Sequence, residues 1–181
     1  MNPVLSSVIL VALVVLFFTV IRRAKNVEPL KIPKLRILSS PDQLLKQMEA
    51  AAAEFAVVAE TVLSVELNRT VDSLEVLQDA LTPERIKTFP VLTDRTLSGE
   101  LPLFLALGAY LGETVRRTNP EFLWVAPKDD TELVTAHGPY LVIKEAYQAY
   151  PCARAFRIVY EHQHGTLVDF FDLVIQKSQQ K

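Results

Sequence analysis

Five glycines, three histidines, one tryptophan and a single cysteine in 181 residues remove several chemistries at the outset. One thiol cannot close a disulfide within the chain and cannot build a cysteine zinc site. No Gly-rich phosphate loop, G-x-S-x-G elbow or H-E-x-x-H helix occurs. Excess positive charge is also missing: the net charge is -2 and the pI is about 5.9. A nucleic-acid binder needs a basic face, and beyond residue 36 only isolated pairs such as Arg116–Arg117 are available. Nucleic acid is therefore not an expected partner, and no catalytic residue, cofactor or metal is implied.

What the chain has in quantity is apolar residues, half of the total, and eighteen of its residues form one continuous run. Residues 4–21, VLSSVILVALVVLFFTVI, contain no charge, glycine or proline. As a helix rising ~1.5 Å per residue the run spans roughly 27 Å, close to a ~30 Å hydrocarbon core. Ser6, Ser7 and Thr19 are its only polar residues, and such hydroxyls bond back to their own helix. A soluble core helix would show a polar face, which this run lacks. The pattern predicts a transmembrane helix within residues 1–21. A cleaved signal would begin with bases and end with small residues. This chain begins Met1-Asn2-Pro3 and leaves the run through Phe17, Phe18 and then Arg22 and Arg23, so retention is expected.

Arg22, Arg23, Lys25, Lys31, Lys34 and Arg36 follow the span, against one acid, Glu28. The positive-inside rule then places the short N-terminus outside and the larger C-terminal part in the cytoplasm. The same bases are the expected contact with an anionic membrane surface, at about 1 kcal/mol each. Pro29, Pro33 and Pro41 favour extended backbone, which makes residues 22–40 a stalk. A lone thiol suits a reducing compartment.

Residues 41–181 are enough for one domain with its own core. Ser40-Pro41-Asp42-Gln43 carries a helix cap, a first-turn proline and a capping-box partner. Leu44, Leu45, Met48, Ala51, Ala52, Phe55, Ala59, Val62 and Leu63 then recur at helical spacing to about residue 67. Such a stripe reads as core, with docking or self-association as the alternative. Residues 72–81 and 101–117 predict further helices, with a short turn from Thr82 to Pro90 between them. In the second of these helices Gly108 and Gly112 let another element approach closely. Residues 122–126, 132–135 and 140–144 predict three short strands, and Pro151 and Thr166 open two final helices. The expected fold is α+β: helices packed on a small antiparallel sheet, preceded by a single N-terminal transmembrane helix.

Three segments carry a family likeness. They are VDSLEVL at 71–77, LGAYLGE at 107–113 followed by Trp124 in a strand, and YLVI at 140–143 leading through Pro151 to the last helices. Their order resembles a bacterial domain family of unknown function and covers most of residues 68–175. Where relatives carry Gly-Gly before the tryptophan, this chain carries Pro120-Glu121-Phe122-Leu123. The resemblance implies the α+β fold and a bacterial source, and it brings no activity; together with the anchor it gives the bacterial inner (cytoplasmic) membrane as the expected location.

Three constellations invite chemistry. Tyr110, Glu113 and Trp124 would line a ligand pocket at the helix–sheet junction. Cys152 at a helix start beside Arg154 has the setting of an activated thiol, against the default of a small core residue. His162 and His164 would share a face in a strand, but helical geometry separates them by about 200°. The reading that follows is a single-pass, membrane-anchored protein presenting a cytoplasmic protein-interaction domain. Its partners are the bilayer and another protein, with a homo-oligomer as a further option. The alternative is a ligand sensor or enzyme using Tyr110, Glu113 and Trp124.

Overall fold

The computed structural model describes residues 40–94, 99–144, 147–161 and 167–180. The chain divides into Met1–Leu35 and Arg36–Lys181, and every described residue belongs to the second unit. The expected transmembrane run, the juxtamembrane bases, His162, His164 and Thr166 lie outside the described residues. Among the described residues no helix is long and apolar enough to cross a membrane. They form seven helices and two small antiparallel sheets, an α+β arrangement.

Helix α1 (Pro41–Leu63) starts as its capping residues require: Ser40 is extended and its hydroxyl accepts from the Gln43 amide at 3.3 Å. Leu44, Met48, Ala51, Ala52, Phe55, Ala59 and Leu63 are buried along one stripe, with Gln47 beside them. The helix ends about a turn before residue 67. Ser64 takes a left-handed φ of 57°, and Arg85 Nη1 donates to the Leu63 carbonyl at 3.0 Å. The Leu67 amide then donates to Glu60 Oε1 at 2.9 Å, and Leu67 is buried by the turn.

Helix α2 (Val71–Ala80) opens with a reciprocal cap between Thr70 and Ser73, and α3 (Pro83–Ile86) is a single turn capped by Thr82. A hairpin that the sequence reading did not foresee follows, β1 (Leu92–Asp94) paired with β2 (Gly99–Leu101). Leu101 belongs to that hairpin, so the next helix, α4 (Leu103–Thr118), begins two residues later than expected. Every residue from Phe104 to Val115 is buried, which makes α4 an interior helix. It packs most extensively against α1 and against α6 (Pro151–Tyr160).

The second sheet has the order β3-β4-β5, built from Leu123–Val125, Tyr140–Ile143 and Tyr147–Ala149, all antiparallel. Its register aligns Trp124, Leu141 and Ala149 in one row, and all three are buried. Three strands were expected, but the third is β5. Residues 132–135 instead lie in helix α5 (Asp130–Ala136). The reason is local: Asp129 caps the helix by accepting from the Glu132 amide at 2.8 Å, and His137 ends it at a left-handed φ of 55°. Tyr140 sits on the opposite sheet face to Leu141, yet it too is buried, packed against Tyr150, and its hydroxyl donates to Glu132 Oε1 of α5 at 3.0 Å. Burial and that carboxylate push the Tyr140 phenol up to about 12. Helix α7 (Leu167–Gln179) closes the domain, burying Leu167, Phe171 and Val174 while Phe170 and Ile175 remain half-buried.

At Gly108 a methyl group would lie 2.7 Å from Cys152 Cα and 3.0 Å from its backbone nitrogen. A methyl group on Gly99 meets nothing within 4 Å. Helix propensity favours alanine over glycine by ~1 kcal/mol, while overpacking against a backbone costs about 1–3 kcal/mol. Gly108→Ala is therefore expected to destabilise residues 36–181 by about 1–2 kcal/mol in urea unfolding, with Gly99→Ala within ~0.5 kcal/mol of the parent. A stabilised Gly108→Ala protein would contradict the close packing.

Candidate functional site

Tyr110 and Glu113 are one helical turn apart on α4, and both are buried, at 0% and 6% exposure. Trp124 reaches the same helix from β3 at 5% exposure. The Trp124 indole N–H donates to Glu113 Oε1 at 2.6 Å. Arg116 Nη1 donates to both oxygens of that carboxylate, at 2.8 and 3.0 Å. Arg116 also donates from Nε to the Phe122 carbonyl at 3.2 Å, just before β3, and lies 3.8 Å from Glu49 on α1. The indole thus fastens Glu113 of α4 to the strand, while the ion pair within α4 holds Arg116 where its Nε reaches the Phe122 carbonyl. Arg117, the other cation one turn on, donates to the Asn68 carbonyl at 2.6 Å.

Tyr110 turns its hydroxyl elsewhere. It accepts from the Arg69 amide at 3.0 Å and shares a 2.8 Å hydrogen bond with Ser73 Oγ. Arg69 has a left-handed φ of 58°, so Tyr110 holds the bend that leads into α2. Burial pushes its phenol up against the opposing pull of these two hydrogen bonds. Of the three residues expected to line a pocket, Glu113 and Trp124 are brought together, and the Tyr110 hydroxyl serves a different junction. Gly112 explains how the tryptophan gets so close: a Cβ there would run into the indole ring. A ligand approaching Glu113 would have to displace the indole or the guanidinium.

Cys152 is fully buried beneath Gly108, and burial pushes its thiol well above the ordinary range. That is the opposite of an activated thiolate. His137 stacks on Phe156 with centroids 4.1 Å apart and planes 1° apart. Burial and the Arg157 guanidinium both lower its pKa.

A concavity the sequence reading did not single out lies between α6 and α7, with a volume of about 390 Å³. Tyr150, Arg154 and Arg157 form one wall, and Asp169, Phe170 and Leu173 form the other. The signal was present as Arg154 and Arg157 three apart and Asp169 and Leu173 four apart. Nothing in spacing alone says that these two helices face one another.

Two expectations follow. Replacing Glu113 by alanine leaves the Trp124 N–H and the Arg116 guanidinium without their carboxylate, at a cost of about 2–4 kcal/mol. A double-mutant cycle with Trp124→Phe should give a coupling energy of about 1–2 kcal/mol; a coupling near zero would show that the indole contact carries no energy. The single thiol should resist iodoacetamide in the folded protein and react only as fast as the domain unfolds. Rapid labelling under native conditions would contradict the burial of Cys152.

No family model, curated protein or solved structure matches this chain.

Proposed function

We propose that the chain is a single-pass membrane-anchored protein of the inner (cytoplasmic) membrane that presents its α+β domain on the cytoplasmic side as a protein-interaction module. The observation that carries this reading is the uncharged eighteen-residue run followed at once by six bases within residues 22–36. The domain adds support. Glu113 and the Tyr110 hydroxyl, its most enzyme-like interior groups, are engaged by protein partners. Large apolar side chains stand exposed instead, among them Val57, Val91 and Leu123 at 58%, 74% and 64%. The likeness to a bacterial domain of unknown function, carried by the 107–113 segment and Trp124, belongs to the same reading.

Alkaline carbonate extraction of the full-length protein tests the anchor. The parent should remain in the membrane pellet, and Leu13→Arg/Val14→Arg should shift it to the supernatant. Each central arginine costs ~2.5–3.5 kcal/mol on the insertion scale. Release of the parent protein would refute the anchor. For the interaction, the tagged protein is purified in mild detergent with its own span and with an unrelated one. A near-stoichiometric partner retained by both supports a binding domain. A preparation free of other proteins contradicts it, and a self-complex by light scattering would replace it with a homo-oligomeric scaffold.

A further inference from the structure

The α6–α7 groove is the part of the domain that its architecture does not explain. Arg154 and Arg157 lie one turn apart on α6 and line the same concavity. Arg154 is half-buried, Arg157 is exposed, and Asp169 is the carboxylate lining the facing wall. Among the described residues, two guanidiniums against one carboxylate leave the lining net positive. The two cations also act on each other: burial first, and then Arg157, lowers the Arg154 pKa, with Asp169 opposing. Among the described residues the Arg157 side chain makes no hydrogen bond or ion pair. Like charges gathered in a concave, partly desolvated wall favour the entry of an anion.

The opposite wall has a different character. Leu173 is 51% exposed and Phe170 half-buried, so an apolar surface continues from the charged one. The Tyr150 hydroxyl is hydrogen-bonded to Gln148, which fixes that end of the groove. A volume of about 390 Å³ falls within the ~300–1,000 Å³ range of small-molecule sites. Guanidinium pairs suit phosphate and carboxylate oxygens, which they bind by parallel N–H donors. We propose that this groove binds a small amphipathic anion, with its phosphate or carboxylate head on Arg154 and Arg157 and its apolar part along Phe170 and Leu173. Such a head is found both on free organic acids and phosphate esters and on anionic lipids. The site itself does not depend on the anchor, and a full chain that proved soluble would be titrated directly in buffer.

The probe is octyl phosphate, titrated by calorimetry into the full chain in nanodiscs of phosphatidylcholine alone. Saturable binding is expected, and Arg157→Gln should weaken it about tenfold, equivalent to ~1.4 kcal/mol. Leu173→Asn should weaken it several-fold. Both positions are exposed, so both variants should keep the parent's thermal midpoint without ligand. Inorganic phosphate should bind more weakly than octyl phosphate because it leaves the apolar wall uncovered. A second series uses nanodiscs containing phosphatidylglycerol. Weaker apparent binding of octyl phosphate there identifies the lipid head as a competitor at the groove, and unchanged binding assigns the site to a free anion. Absence of saturable binding in phosphatidylcholine, or equal binding by the parent and Arg157→Gln, would overturn the proposal.

Discussion

The fold depends on how closely two neighbours approach a single buried helix. Gly108 lets the backbone of α6 lie directly against α4, and Gly112 lets the Trp124 ring of β3 do the same one turn later. A side chain at either position would hold its neighbour off by the width of a methyl group. The tryptophan would then fall out of reach of Glu113, whose 2.6 Å bond to the indole needs the ring against the helix. Packing comes first here, and the polar geometry follows from it.

Because α4 is buried on all sides, its polar side chains must find partners inside the protein. Glu113 does so through Trp124 and Arg116, the Tyr110 hydroxyl through Ser73 and the Arg69 amide, and Thr114 through its own helix at the Tyr110 carbonyl. Each of the first two bridges α4 to a different part of the chain, so the same interior bonds that satisfy the helix also join the layers. Residues that look like chemistry in a sequence thus act as fasteners. The surface is where the domain departs from this economy. The α6–α7 groove gathers positive charge and exposed leucine in one concavity, a combination that packing does not require.

Much of the helical architecture was legible because helices announce themselves over many residues. Ser40-Pro41-Asp42-Gln43 marked a start, and the stripe from Leu44 to Leu63 marked a face. The strands were harder, since three- and four-residue strands hold too little alternation to be distinguished from a helical turn. Residues 132–135 resemble a strand for that reason, although Asp129 three residues before Glu132 is a capping signal of the same kind that marks the start of α1. The hairpin of β1 and β2 and the strand β5 are too short to carry a periodicity. At the candidate site the sequence places Tyr110 and Glu113 on one helix and Trp124 on the strand that follows. It could not show that the carboxylate is engaged or that the phenol turns towards Ser73, because both depend on contacts between distant segments.

The most direct test of α4 as the organising element is native-state hydrogen exchange on residues 36–181, read amide by amide across a urea series. The α4 amides from residues 107 to 115 should exchange only through global unfolding, with opening energies equal to the full stability of the domain and the same urea dependence. The amides of α3 and the β1–β2 hairpin should open at lower energies. If α4 instead exchanged through a smaller opening, while α1 or the β3–β5 sheet remained protected, the domain would be organised around another element and the central role of the Gly108 and Gly112 contacts would be wrong.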